Sequence, residues 1–586
     1  MPAQRARARV RLSHITSELR VRGTPNDFVS GSTVELTVPG AGAPPPAPVA
    51  ASRARFSGAR LYFVMAGAGL VIGALSLLIP STPSYDPWAW LVWGREIVHL
   101  DLHTTGGPTW KPLTVIFTTL FAPFGRSAPD LWLVVARAGA VVAVAMVFKL
   151  CLRLTTDICG WPRAGASGSQ RALAYAPGVL AGIVAGIGLV FAGGYINSEA
   201  LGYSEGLLTA LVLIAIERHL DGHHRQAFVI AFFAALDRPE TWLFWGPYGL
   251  WLWRKDPGAR KLVIGLFALI PVLWFLPEYW GSGHFFRGVQ RANNPRSNSA
   301  AHASFPFWAE LRKHAWPTVP SRIKLVAIVG IALSLLTLRR ANRSRGVTRL
   351  WALRLVGNRE RALGAMAIYG VLGFAWWILI SIMTQAGFSG NDRYLVLGAS
   401  MIEVAGGVTF GWAAYELGRA LPRWLPAARR MDSQVSGWSA LALVAIVFAF
   451  VPSWIGGLVR IQRTHRALVY QALLRTDAAT AVAQLGGGAK IMSCGSVMTE
   501  GFQVPMLAWQ LGVHTIDVEA SPLTKPTAPD GGPLPGPAVV FRVRAQRNAH
   551  MLPILSDWPT THYRLVTATR TFRVYVRDGC NVGHVA

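Results

Sequence analysis

Nine apolar runs, most of them close to the length of a membrane-spanning helix, recur along this chain of 586 residues and restrict its fold more than any other feature. They cover 61–80, 130–150, 174–192, 204–217, 262–277, 322–338, 363–384, 394–415 and 437–456. About 20 apolar residues cross a hydrocarbon core, and inside lipid only helices or closed barrels can satisfy the backbone polar groups. The run at 204–217 is short and needs flanking residues. Two further stretches, 227–236 and 241–253, are separated by "LDRPET". Each corresponds to roughly 15–20 Å of helix, too little to cross alone, so the pattern predicts two short helices meeting at a buried turn. With that pair counted as up and down, the expectation is an all-α polytopic membrane protein with about 11 transmembrane helices. Composition agrees: 52% of residues are hydrophobic and 15% charged, against about 25% charged in soluble domains.

The formal net charge of +28 invites a nucleic-acid reading, but its distribution argues against one. With Arg53 and Arg55 on the cytoplasmic side, every loop assigned to that side is basic. These loops hold Arg153, Arg163 and Arg171; Arg218 and Arg225; Arg254, Lys255, Arg260 and Lys261; the run from Arg339 to Arg361; and Arg419, Arg423, Arg429 and Arg430. Two outer segments, 193–203 and 385–392, contain no Lys or Arg. This is the positive-inside pattern, and it predicts a multi-pass cell-membrane protein with its N-terminus in the cytoplasm. The cluster "HLDGHH" at 219–224 then reads as a polar cytoplasmic loop.

Three regions follow. Residues 1–59, polar and Arg-studded with "GAGAPPPAPVAAS" near their end, read as a disordered cytoplasmic tail. Residues 60–456 form the membrane domain. Residues 457–586 lose the apolar character: "AKIMSCGSV", "PAVVFRVR" and "TFRVYVRDG" read as strands, and "QVPMLAWQL" as a short helix. The expectation is a small extracytoplasmic α/β domain. Its Cys494 and Cys580 are free to pair or stay apart, and its Trp509 and Trp558 serve either as core or as stacking faces for a glycan. Cys151 and Cys159 read as free thiols. No metal-ligand spacing of Cys or His appears, so neither metal nor cofactor is expected.

Between the first two runs lies "SYDPWAWLVWGREIVHLDLHTTGGPTWKPL" (84–113), dense in ionisable and aromatic groups. Over 87–98 Trp and aliphatic residues fall at helical spacing, as in a helix lying along a membrane surface with Trp at headgroup depth. Asp86, before Pro87, is either a helix-starting cap or a functional acid; spacing alone leaves both open.

The stretch "YDPWAWLVWGREI…GGPTWKPLTVIFTTLFAPFG" resembles the first outer loop of the C-type membrane glycosyltransferase superfamily (GT-C), which includes protein O-mannosyltransferases and lipid A aminoarabinose transferases. Asp86 matches that family's acid and Lys111–Pro112 its turn, whereas Trp110 replaces a frequent Glu. "INSEALGYSEGLLTALVLIAIERHL" resembles the second acid-bearing loop, with Glu205 or Glu199 in the acid's place. "LDRPET" resembles the Leu-x-Arg-Pro-Glu turn, with Arg238 and Glu240, and "GNDRYLVLGASM" an Arg-Tyr-Leu motif, with Asp392, Arg393 and Tyr394. The likeness runs in order through residues 60–415.

The resemblance implies transfer of a sugar from a polyprenyl-phosphate donor to an extracytoplasmic acceptor, whether envelope glycan, lipid or protein, among membrane lipids. Asp86 would be the general base of an inverting displacement. Arg393 and Arg238 would stabilise the departing phosphate, since a guanidinium meets phosphate oxygens in pairs. The loop "GSGHFFRGVQRANNPRSNS" (281–299) adds His284, Arg287, Arg291 and Arg296 for a lipid phosphate or a glycan. Duller roles exist for each: Arg238 and Glu240 as a pair closing the broken helix, Arg393 as a snorkelling interface residue, and the basic loop as a headgroup contact. Two other functional classes compete. A transporter or flippase would show paired broken helices, and the chain has one such pair and no internal repeat. A catalytically inert envelope-assembly scaffold would need no convergence of Asp86 with an Arg.

Overall fold

The computed structural model describes residues 58–295, 299–347, 355–424, 451–521, 536–558 and 560–582. The expected tail, Arg296 and most of the expected span at 437–456 lie outside the described residues. Among the described residues the regular elements of the membrane domain are all helices. Its helices are α1 (Ala59–Leu75), α2 (Tyr85–Val98), α3 (Pro112–Phe121), α4 (Ala128–Cys159), α5 (Gly168–Val190) and α6 (Tyr195–Ala200). Next come α7 (Glu205–Leu220), α8 (His224–Asp237), α9 (Trp242–Lys255), α10 (Arg260–Ser282) and α11 (Arg287–Ala292). After an irregular segment with a π-helical turn at Glu310–Ala315 come α12 (Ser321–Arg343), α13 (Asn358–Gln385) and α14 (Val396–Trp424).

Among the described residues, seven helical stretches are long and apolar enough to cross a membrane. α7, with 16 residues, and α8 and α9, with 14 each, fall short of that length. These short helices are where the chain turns back within protein. Pro239 removes a backbone donor and holds Arg238 extended (φ −143°), which ends α8. The carbonyl of Ala235, freed near that break, accepts from the indole N–H of Trp242 (3.0 Å) and of Trp274 (3.2 Å). That carbonyl therefore keeps partners inside the protein although Pro239 cannot supply one.

Helices approach closely where glycine permits. A β-carbon at Gly139 of α4 would lie 2.7 Å from the Leu207 backbone, and one at Gly206 of α7 would lie 2.7 Å from Ala140. Likewise Gly373 of α13 and Gly398 of α14 each leave 2.7 Å to a backbone oxygen of the other helix. Small residues at such crossings replace the hydrophobic driving force that lipid withholds.

α2 departs from the surface helix expected. Trp88, Trp90 and Trp93 are all buried within the protein, Trp90 edge-on to Trp132 and Trp93 beside Trp110. Trp88 packs on Trp509 of the C-terminal domain, whereas Trp90 and Trp93 turn into the membrane domain.

The long helix α15 (Val451–Gln484) runs across the expected domain boundary at 456–457, and α16 (Gly488–Met492) and α17 (Val504–Leu511) follow in the C-terminal domain. Its five strands are β1 (Val497–Thr499), β2 (Val518–Ala520), β3 (Val539–Val543), β4 (Tyr563–Ala568) and β5 (Phe572–Arg577), in the order β2-β1-β3-β5-β4. β1 pairs parallel with β2 and β3; β3–β5 and β5–β4 are antiparallel. The segment "AKIMSCGSV" is mostly helix and turn, with only its last residue in β1. Cys494 and Cys580 form a disulfide, while Cys151 and Cys159 remain thiols. Trp558 is core, and Trp509 packs on Trp88.

The domain is fastened to α2. Arg95 donates to the Val513 carbonyl (2.6 Å), His514 Nδ1 meets Glu96 Oε1 (2.8 Å), and Arg475 meets Asp130 at the start of α4 (2.6 Å).

The disulfide joins residues 86 apart, beside β1 and after β5. Replacing both cysteines by Ser lowers the stability of this domain by about 2–4 kcal/mol, read as earlier thermal unfolding and faster proteolysis of the C-terminal region. Unchanged unfolding would mean that the bond contributes nothing.

Candidate active site

Four separate stretches of sequence bring charge to one place. Asp86 lies in the first turn of α2, yet no side chain caps that helix; Ser84, its N-cap residue, pairs instead with the Tyr203 hydroxyl at 3.0 Å. The Asp86 carboxylate is directed across the bundle, and its Oδ2 accepts from Arg393 Nη2 at 2.6 Å. Arg393 sits on the single 3₁₀ turn Asp392–Leu395 that leads into α14. Glu205, the first residue of α7, is 1% exposed, and its Oε1 accepts from Arg238 Nη2. The same oxygen lies 3.9 Å from Arg393 Nε and 3.9 Å from Lys111 Nζ. Lys111, the N-cap residue of α3, donates to Ser204 (2.8 Å) and lies 3.9 Å from Asp237. Arg238 also bonds Glu240 (3.1 Å).

Tyrosines hold the guanidinium planes. Arg238 lies 3.8 Å from the Tyr394 ring centre, and Arg393 lies 4.0 Å from that of Tyr203. Such stacking suits Arg, which is weakly hydrated and planar. Asn391 fixes the Tyr394 hydroxyl at 3.0 Å. The Tyr203 phenol is pushed up to about 12, chiefly by burial, so it stays neutral.

These groups wall a cavity of about 860 Å³. Asp86, Lys111, Asp237, Arg238, Glu240, Asp392, Arg393 and Tyr394 line it, whereas Glu205 lies behind the wall as the anchor of three cations. Arg393 Nη1 and Arg238 Nε, both buried, have no hydrogen-bond partner among the described residues. Buried donors of this kind are rarely left unmade in a native protein. Glu205 Oε2, both Asp237 oxygens and Glu240 Oε2 are likewise unpartnered among the described residues, so the cluster offers a ligand both donors and acceptors.

The remaining expected residues fall elsewhere. Glu199, on α6, borders a different cavity, apolar and of about 900 Å³, whose lining also includes Arg137, Tyr195 and His465. Burial pushes its pKa well up, against the opposing pull of the Gly206 amide. Arg287 is committed to the carbonyls of Thr105, Gly107 and Pro108 at 2.5–3.0 Å. Arg291 lines the charged cavity and bonds the Gly107 carbonyl (3.3 Å). His284 is exposed on the loop after α10 and is not part of the wall.

Sequence reading passed over several wall residues. Asp237 stood inside the quoted "LDRPET", yet nothing there distinguished it from a helix-end residue. His314 had no signal: its Nδ1 meets Asp392 Oδ1 (2.5 Å) only because the 306–318 segment folds back onto the turn before α14. Phe502, from the C-terminal domain, reaches the cavity and stands edge-on to Tyr85.

Beside the cavity, burial raises the Glu310 carboxyl to about 7, and the hydrogen bond that His314 donates to Asp392 raises His314. Both folded values lie above the unfolded ones. Their contribution to stability is therefore full at acid pH and is lost as pH climbs through neutrality. Glu310→Gln removes the first of these terms, so its melting temperature gains on that of the wild type between pH 5 and 8. Parallel curves for the two proteins would contradict this.

Removing Arg238 strands Glu205 and Glu240 without their strongest partner. Arg238→Ala costs about 3–5 kcal/mol, as does breaking other buried pairs, seen as a lower melting temperature in detergent. Adding Glu205→Gln restores part of that loss. A double variant no better than the single would show that Glu205 is not the group left uncompensated.

No family model and no curated protein sequence matches the chain. Among solved structures, the chain is similar to ArnT from Cupriavidus metallidurans bound to undecaprenyl phosphate, at 14% identity and a TM-score of 0.46, over 88% of this chain and 98% of that one. It is also similar to ArnT from the same organism in the apo state, at 15% identity and a TM-score of 0.43, over 89% and 98% of the two chains.

Proposed function

We propose that this protein is an integral membrane glycosyltransferase that moves a sugar from a polyprenyl-phosphate donor to an extracytoplasmic acceptor, with Asp86 as general base. The observation that carries the reading is the convergence of Asp86, Arg393, Arg238 and Lys111 on one cavity in a membrane-spanning bundle. The resemblance of its motifs to those of C-type glycosyltransferases supports the same chemistry. Basic loops on one side and a disulfide in the C-terminal domain, which an oxidising compartment permits, support an extracytoplasmic site with the N-terminus in the cytoplasm.

In this reading the acceptor hydroxyl gives its proton to the Asp86 carboxylate as its oxygen attacks the anomeric carbon. The bond from that carbon to the phosphate oxygen breaks, and polyprenyl phosphate leaves with the electron pair. Arg393, Arg238 and Lys111 balance the growing negative charge, and the unpartnered Arg393 Nη1 and Arg238 Nε provide donors that need no reorganisation. Direct attack with one base inverts the anomeric centre. Glu205 acts through the cations it holds. A scaffold has no use for buried guanidinium donors on a cavity wall, which favours the transferase.

Asp86→Asn keeps the shape and removes the base. The expected result is loss of transfer of at least a hundredfold with insertion and melting retained, measured with labelled polyprenyl-phosphate sugars. Full activity in that variant would overturn the assignment.

A further inference from the structure

The charged cavity has a second pole that the mechanism above leaves unused. Glu278 lies near the end of α10, one turn before Gly283 closes the helix. It lines the same cavity as Asp86 and Arg393 and is only 2% exposed. The Trp110 amide approaches it, but neither carboxyl oxygen accepts a hydrogen bond of ordinary geometry. Arg287 Nη1 stands 3.9 Å away, near enough to balance the charge but not to bond it, and that guanidinium is already held by three backbone carbonyls. Glu278 is thus compensated in charge but short of hydrogen-bond donors, with only the Trp110 amide nearby. Buried carboxyl oxygens without donors are costly, and an ionisable residue at the end of a membrane helix facing a cavity calls for a partner.

The surroundings indicate what kind. Trp110, beside Glu278, is followed in the chain by Lys111, which belongs to the cationic pole, so the two poles share one wall. Trp110, Trp242 and Trp274 also line this cavity. Paired acceptor oxygens beside aromatic faces suit a sugar ring, whose hydroxyls donate and whose C–H faces pack on indole.

We propose that Glu278 is a specificity-determining residue that receives the sugar of the donor, its two oxygens accepting from ring hydroxyls while the phosphate lies at Arg393, Arg238 and Lys111. This rests on the glycosyl-transfer reading and adds where the sugar sits. The same acceptor would also take an ammonium on an amino sugar.

The test compares the binding of short-chain prenyl phosphate with that of its neutral-hexose and amino-pentose esters, by tryptophan fluorescence, in wild type and Glu278→Gln. The substitution keeps the volume and removes one acceptor. The expected result is about a tenfold or greater loss of affinity for a sugar ester, with prenyl phosphate itself unchanged. Weakening of the neutral ester assigns hydroxyl recognition; weakening confined to the amino ester assigns the ammonium. Equal affinity for all three probes in both proteins overturns the inference, as does an equal loss for all three, which marks a structural role. If the wild type binds neither prenyl phosphate nor its esters, the glycosyl-transfer reading itself falls, and the inference falls with it.

Discussion

Glu205 is the group on which the rest of the site depends. A carboxylate at 1% exposure is tolerable only with strong partners. Here Arg238, Arg393 and Lys111 supply them from the turn after α8, the turn before α14 and the start of α3. One oxygen therefore fixes the relative positions of three segments far apart in sequence. Arg393 in turn holds Asp86, so the carboxylate in α2 is positioned at one remove by the carboxylate in α7. Neutralising such a hub would free three cations to repel one another on a cavity wall.

The helix crossings make that arrangement reachable. Gly206 follows Glu205 directly and lets α7 lie against α4, with no room for a β-carbon. The crossing at Gly373 and Gly398 draws α14 against α13 close behind the turn that carries Arg393. In a membrane domain, where lipid rewards no helix for burying apolar surface against another, these backbone approaches do the packing that a hydrophobic core does elsewhere. The C-terminal domain packs Trp509 on Trp88 of α2 and lends Phe502 to the wall. It bonds Arg95 and Glu96 through the Val513 carbonyl and His514, and both residues lie on the same helix as Asp86.

Much of this was legible in the residues. Run length located the long helices but not all of their ends, since α4 and α14 each run nine residues beyond the apolar run, and Pro239 marked the broken pair because proline cannot continue a helix. The charge-bearing motifs Asp86, Lys111, Arg238 and Arg393 were visible as ionisable groups at the ends of apolar runs, where they are costly without a purpose. Glu199 and Glu205 could not be separated by spacing; they part only because α6 turns between two cavities while α7 is pressed inward at Gly206. Arg287, with the look of a ligand residue, is occupied by backbone carbonyls. The Trp of α2 read as interfacial because hydropathy cannot tell a lipid from the interior of the protein.

Sequence by itself determined that this chain is a helical membrane protein, where most of its helices start and stop, and which of its charges lie between them. Those are local matters: hydrocarbon thickness, proline's missing donor and the free energy of charge in lipid act on neighbouring residues. Which charges meet was decided only in three dimensions. The pairing of Asp86 with Arg393 spans 307 residues, and the exposure of Glu278 to the same cavity depends on how α10 leans against Trp110. No period or motif encodes such a meeting, because it is set by how closely helix backbones can approach and by which buried charge finds compensation first.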